Sequence, residues 1–348
     1  MTVTLSCKIH AAKDLRLESE GEAGLAPHEV EVALGAAGIC GSDLHYYFHG
    51  RAGAFEIREP LTPGHEAAGV VRRTGSAVKG VAPGQKVAVN PSHACHVCRY
   101  CREGRENLCS SMRFLGSASI YPHVQGMFRE SFVVAESQLT PVNADISFGE
   151  LAFAEPLAVA LHAVNRSGPL LGKSVLVTGA GTIGCLIVMA ARLAGAKEII
   201  SCDIADHPLQ VARQAGATQT LRSDRLTGKE LSDIADICIE AAGSKEALAT
   251  CLQAARRGGR IVQVGTLSAE GLQFPANSVM ARELDYVGAF RFGVEFDWAV
   301  NYLVSKRIDV KPLLTAQLPL RDAVAAFTLA ADKSRSTKVQ LTGEAAIM

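Results

Sequence analysis

Several things are missing from this chain. It carries no net charge, with 35 acidic residues against 35 basic ones, and no block of lysines and arginines. The electrostatic footprint that a phosphate backbone demands is therefore absent, and nucleic acid is not an expected partner. The first residues, MTVTLSCKIHAAKD, contain no apolar core and no small-residue cleavage site, so no signal peptide is expected. No internal repeat or low-complexity stretch is present. A long unbroken apolar run is missing too. The eighteen uncharged residues from Ser174 to Ala191 reach membrane-spanning length, but Gly179, Gly181 and Gly184 divide them into a β-branched strand and a helix. No membrane partner is expected. Ten cysteines, several isolated in apolar runs, fit a reducing cytoplasm, where clustered cysteines bind metal rather than pair.

What is there changes in character along the chain. Residues 1–150 hold short β-like runs broken by Gly and Pro (EVEVALGAAG, AAGVVRRTG, QKVAVNP, FRESFVVAE), the pattern of an antiparallel, barrel-like domain. Within residues 151–288, strands and helices alternate from about Gly172 onward. SVLVT, EIISCD, ADICIEAAG and RIVQVGT are the strands, and this βαβ rhythm predicts a parallel sheet covered by helices on both faces. Residues 289–348, with PLLTAQLPL and the amphipathic RDAVAAFTLAADK, are expected to return to the first domain. The fold class is α/β in two domains.

Three signals carry chemistry. Cys95, Cys98, Cys101 and Cys109 follow CxxCxxCx7C, a knuckle whose four thiolates can close tetrahedrally on one zinc with no position left for substrate. GAGTIG places Gly179, Gly181 and Gly184 between a strand and a helix, with Thr182 and Ile183 opening that helix, so that backbone amides can face a pyrophosphate. Asp203 ends the next strand, where its carboxylate can accept the adenosine ribose hydroxyls. With no arginine in Ile204–His207, NAD is expected over NADP. The third signal is GICGSDLH followed by PGHE. Cys40, His65 and a carboxylate, Glu66 or Glu155, offer three ligands to a catalytic zinc with a fourth position open. Glu155 lies in the apolar run LAFAEPLAVALHA, where a metal would compensate a buried carboxylate.

The order CGSDLH, GHE, four-cysteine knuckle, AEPLAVALHA and GAGTIG resembles the zinc-dependent medium-chain dehydrogenases over nearly the whole chain, in the branch acting on sorbitol, xylitol and L-idonate. The stretch MRFLGSASIYPHVQGMF, Met112 to Phe128, is similar to that of the bacterial L-idonate dehydrogenases. The resemblance implies a GroES-like β-barrel catalytic domain holding one catalytic and one structural zinc, a Rossmann domain binding NAD, and a homotetramer or homodimer. It also implies a small-molecule substrate, a sugar acid or polyol oxidised at a secondary alcohol. Ser42 and His45 would pass the hydroxyl proton outward. Arg291, with Arg113 as second candidate, would meet a substrate carboxylate. Val264, Gly265 and Thr266 would pass beside the nicotinamide. A zinc-free reductase of the same fold would lack Cys40, His65 and the knuckle. A non-enzymatic zinc sensor would not need GAGTIG with Asp203.

Overall fold

The computed structural model describes residues 3–21, 24–225, 229–267 and 273–343. Two sheets organise it. The first is antiparallel in most of its pairings and has seven strands. Six run in the order 139–142, 86–89, 66–74, 29–38, 338–342 and 314–319, and 131–135 pairs with 29–38. Glu29–Gly38 is its central strand, buried along most of its length because VEVALGAAG supplies small and β-branched side chains to both faces. A separate hairpin, Val3–Ala11 with Asp14–Gly21, is tied down by isolated bridges from Ser6 to Arg129 and from Ile9 to Leu61, both in connecting segments.

The second sheet has six parallel strands in the order 219–222, 198–203, 174–178, 235–240, 255–263 and 285–288. The chain thus starts in the middle and reverses direction between 174–178 and 235–240, which puts a ligand crevice at the carboxyl ends of those strands. Ser174–Thr178 is buried at all five positions. Val175 and Val177 enter one apolar cluster while Leu176 enters another, and Ile237 and Ile239 part from Cys238 in the same way. Period-two alternation therefore feeds two cores, one on each face of the sheet. Each fully buried large apolar side chain contributes about 1.5–3 kcal/mol.

The helix Ala154–Ser167 lies beside Thr182–Leu193 and Glu295–Val304, its apolar face buried among them. Residues after 289 accordingly continue in the dinucleotide-domain core through Leu313, and the chain re-enters the first sheet at Leu314. That return lies later than the sequence suggests, because Phe292, Phe296 and Ala299 find their apolar partners on Ala154–Ser167. Among the described residues, no helix is long and apolar enough to cross a membrane. All ten cysteines are free thiols.

Candidate active site and metal centres

The knuckle cysteines converge. Their sulfurs lie within 4.8 Å of one another, brought together by the turn 95–98, the single helical turn Arg99–Arg102 and the 3-10 turn Glu106–Leu108. Backbone amides serve the sulfurs: Cys95 N and Ser111 N donate to Cys109 Sγ at 3.2 and 3.4 Å. The Cys101 and Ser110 amides pull the Cys98 thiol down to about 5. Four thiols backed by amide donors suit a soft divalent cation in a closed tetrahedron, so the residues fit a structural zinc.

The second constellation is drawn from distant parts of the chain. Cys40 caps the helix Gly41–His49, while His65 and Glu66 sit at the start of the strand Glu66–Thr74. Their ligand atoms also lie within 4.8 Å of one another. Glu66 faces Gly38 across the antiparallel pair, and a Cβ at Gly38 would collide with the Glu66 carboxylate. Only glycine lets that side chain fold over the strand. It turns to Lys338, whose ammonium donates to both Glu66 oxygens at 2.8 and 2.6 Å and to the Ile39 carbonyl at 3.1 Å, with both side chains buried.

Glu155, in the first turn of Ala154–Ser167, is buried, and its carboxylate makes no hydrogen bond among the described residues. Burial pushes its carboxyl up to about 7, with His65 pulling the other way. Asp43 is fully buried and accepts from Cys40 N at 2.9 Å and Gly64 N at 3.2 Å, with His65 Nδ1 at 3.7 Å from its carboxylate. Burial works against a charged His65, yet Asp43, Cys40 and Glu155 outweigh it and hold the imidazole's pKa well above the ordinary value. Three carboxyl groups and a thiol thus crowd one buried lysine and one histidine. That imbalance is the electrostatic demand of a divalent cation, and thiolate, imidazole and carboxylate suit zinc.

Ser42 and His45 lie three apart on the helix Gly41–His49 and share a face. His45 is exposed, its ring 5.7 Å from that of His49, and partial burial, His49 and Lys333 together lower its pKa. A neutral imidazole that can take up a proton is therefore the resting form at neutral pH.

Arg291 reaches the site from the other side. Its backbone is left-handed at φ 55°, and its guanidinium lies between two rings, 4.7 Å from that of Phe114 and 4.8 Å from that of Phe290. Burial lowers its pKa, and Glu155 and Tyr46 are the acidic neighbours that oppose this. Asn107, inside the knuckle, donates to the Phe290 carbonyl at 3.0 Å, so the cysteine lobe itself holds the arginine segment. Arg113 alternates with Phe114 on the strand Arg113–Phe114 and is exposed, on the opposite face from the ring that carries Arg291. The 112–128 stretch is anchored where Ala118 N donates to Tyr46 Oη at 3.0 Å and by the buried His123, which accepts from Arg58 N at 2.9 Å.

At the dinucleotide motif, Gly179 has φ 86°, and a Cβ there would meet Ala242 N at 2.7 Å. Gly184 packs against the Gly179 carbonyl, while a Cβ at Gly181 would enter open space at the N-terminus of Thr182–Leu193. Backbone approach to a pyrophosphate is thus available where the amides point, and the residues fit a dinucleotide. Thr182 Oγ1 donates to the Thr337 carbonyl at 2.6 Å, and Ile183 is half-buried behind it. Asp203 accepts from Ala180 N at 2.8 Å and Ala205 N at 3.0 Å. Val264 and Gly265 amides both donate to the Glu240 carbonyl, at 2.9 and 3.0 Å, and the Thr266 methyl lies 3.7 Å from where a Cβ on Gly53 would stand. The strand end at 264–266 therefore faces the first domain across the cleft.

Sequence reasoning passed over Asp43, Tyr46, Asn107, Phe114 and Lys338. Asp43 had a local signal, since it stands three residues after Cys40 at a helix start. Lys338 had none, being 272 positions from Glu66.

Known proteins agree with this geometry. The alcohol dehydrogenase GroES-like domain matches residues 26–144, and the zinc-binding dehydrogenase domain matches 182–305. The chain belongs to the zinc-binding medium-chain alcohol and polyol dehydrogenases, with a GroES-like domain and a Rossmann domain. Within that family it is 41% identical to L-idonate 5-dehydrogenase (NAD(P)(+)) of Escherichia coli over 89% of this chain and 90% of that one. It is 34% identical to chicken sorbitol dehydrogenase over 93% and 92%. The crystal structure of the Escherichia coli L-idonate 5-dehydrogenase superposes with a TM-score of 0.93 at 38% identity, covering 98% of each chain.

Proposed function

We propose that this chain is an NAD-dependent dehydrogenase that oxidises a secondary alcohol of a sugar acid, with L-idonate to 5-keto-D-gluconate as the leading reaction. The observation that carries this reading is Arg291. Its guanidinium lies against Phe114 with Glu155 and Tyr46 as acidic neighbours, a cation available to a substrate carboxylate beside the Cys40, His65 and Glu66 group. The 41% identity to L-idonate 5-dehydrogenase supports it.

Cys40, His65 and Glu66 would hold the catalytic zinc, with Glu155 as alternate ligand or as the acceptor for a group beside the metal. Cys95, Cys98, Cys101 and Cys109 would hold the structural one. A bound zinc supplies Lewis acidity that lowers the pKa of the substrate hydroxyl, and bound NAD supplies the hydride acceptor. Ser42 takes the hydroxyl proton and His45 passes it to solvent. Val264, Gly265 and Thr266 wall the nicotinamide side, Gly179–Gly184 receive the pyrophosphate, and Asp203 accepts the adenosine ribose hydroxyls. Arg113, exposed on the lobe, could meet substrate only at the mouth of the cleft. A domain division at about residue 150, with the return to the first domain at Leu314, a cytoplasmic setting and a homo-oligomer complete the proposal.

NADH formation with zinc-loaded protein, compared as kcat/KM across L-idonate, D-gluconate, sorbitol, xylitol and L-threonine, tests it. L-idonate should lead by about tenfold, or about 1.4 kcal/mol. A lead by sorbitol or xylitol would make the chain a polyol dehydrogenase, the activity named for its relatives at 34% identity.

A further inference from the structure

The adenosine end of the dinucleotide crevice contains an arginine that the local sequence around Asp203 does not reveal. Asp203 ends the strand Glu198–Asp203, and its register partner on the neighbouring parallel strand is Arg222, the last residue of Gln219–Arg222. Both strands end at the same level, so a ribose 2′-hydroxyl seated on Asp203 would lie at the strand end that also carries Arg222.

The guanidinium of Arg222 is engaged on two sides. Its Nε and Nη2 donate to the two oxygens of Asp224 at 2.9 and 2.8 Å, a forked pair. Its Nη1 lies 2.9 Å from Asp206 Oδ1, and Asp206 is the first residue of the helix Asp206–Ala215, three positions after Asp203. The Arg222 side chain is only 20% exposed, whereas those of Asp206 and Asp224 are 66% and 43% exposed. The cation is thus screened beneath two carboxylates that solvent reaches readily. Exposed single ion pairs contribute little to stability. What the two aspartates do decide is which guanidinium N–H groups remain for an incoming anion, since the planar fork that suits a phosphate is the same fork that Asp224 fills.

Resting on the reading of GAGTIG and Asp203 as the dinucleotide site, we infer that Arg222 is a masked receptor for a 2′-phosphate. Asp206 and Asp224 hold it closed, so NAD selectivity comes from two layers: repulsion by Asp203 and occupation of the Arg222 guanidinium. The ligand class this excludes is an adenosine 2′-phosphate, free or as part of NADP.

Calorimetric titration of the zinc-loaded protein with NADH, NADPH and adenosine 2′-monophosphate tests the masking directly, without turnover. In the Asp206→Asn/Asp224→Asn protein, NADPH and adenosine 2′-monophosphate should bind about tenfold tighter than to wild type, while NADH stays within about twofold. Adding Arg222→Ala should erase that gain. Unchanged NADPH affinity in the double variant, or a gain that survives Arg222→Ala, would overturn the masking and leave simple charge repulsion. Asp203→Asn separates this from the underlying reading. If it changes neither NADH nor NADPH affinity, the placement of the adenosine ribose is wrong, whatever Arg222 does. Preserved NADH binding in the Asp206, Asp224 and Arg222 variants reports that the domain is folded.

Discussion

The two candidate metal centres are built in opposite ways. The knuckle draws Cys95, Cys98, Cys101 and Cys109 from one short stretch, uses four identical donors and carries no buried carboxylate. The candidate catalytic cluster draws Cys40, His65 and Glu66, with Glu155 and Lys338 beside them, from both ends and the middle of the chain, mixes donor types, and buries more acid than base. A closed local set spends its binding energy on folding, whereas an open, electrostatically overloaded set keeps a position for substrate and charges that can shift during reaction. The two are not independent. Asn107 and Phe114, one within the knuckle and one just beyond it, hold Phe290 and Arg291, so the closed site shapes the substrate side of the open one.

The sharpest way to break the comparison is Cys40→Ala. It should lower kcat/KM by about a thousandfold or more while leaving NAD affinity within about threefold, because the thiolate serves metal and not cofactor. A parallel collapse of NAD binding would contradict that division. Next comes Lys338→Met, which leaves the buried Glu66 without its cation and should cost about 3 kcal/mol in urea unfolding. A cost under ~1 kcal/mol would show that the pair does not hold the cluster. Cys98→Ser should lower the melting temperature by about 4 °C, corresponding to roughly 3 kcal/mol, with kcat reduced much less than in Cys40→Ala. An unchanged melting curve would remove the structural-zinc assignment.

Smaller still is Phe114→Leu. It removes one ring from Arg291, worth about 1 kcal/mol, and should raise KM for a carboxylate substrate about fivefold while sparing a plain polyol. Equal losses on both substrates would mean that Arg291 does not meet the carboxylate. The smallest effect is expected from His45→Asn. Because the pKa of His45 is lowered, its neutral form persists below the usual histidine range, and alcohol oxidation should fall only as acid protonates it. The variant should lose a few-fold in rate and that acid limb together. A wild-type acid limb in His45→Asn would remove the histidine from the proton path.

How much could be read in advance follows from the same contrast. The convergence of the four knuckle sulfurs and the strand, glycine turn and helix of GAGTIG with Asp203 at the next strand end are local geometry, set within a turn or one βα unit, and both were legible. The strand and helix rhythm from Ser174 to Gly288 was legible because alternation toward two cores leaves continuous apolar runs such as SVLVT. Lys338 on Glu66 and Arg222 beside Asp203 were not, because strand order and register bring them together and no spacing encodes either. The return to the first sheet at Leu314 rather than 289 was hidden for a related reason. The apolar face of Glu295–Val304 fits either domain until its partner helix is known.

The most direct test of the two-centre account is the zinc content per chain in the wild type, Cys40→Ala and Cys98→Ser, measured by mass spectrometry after removal of loose metal. The account predicts two zinc ions, then one, then one, with only the Cys40 variant inactive. One zinc in the wild type, or two retained in Cys40→Ala, would contradict it.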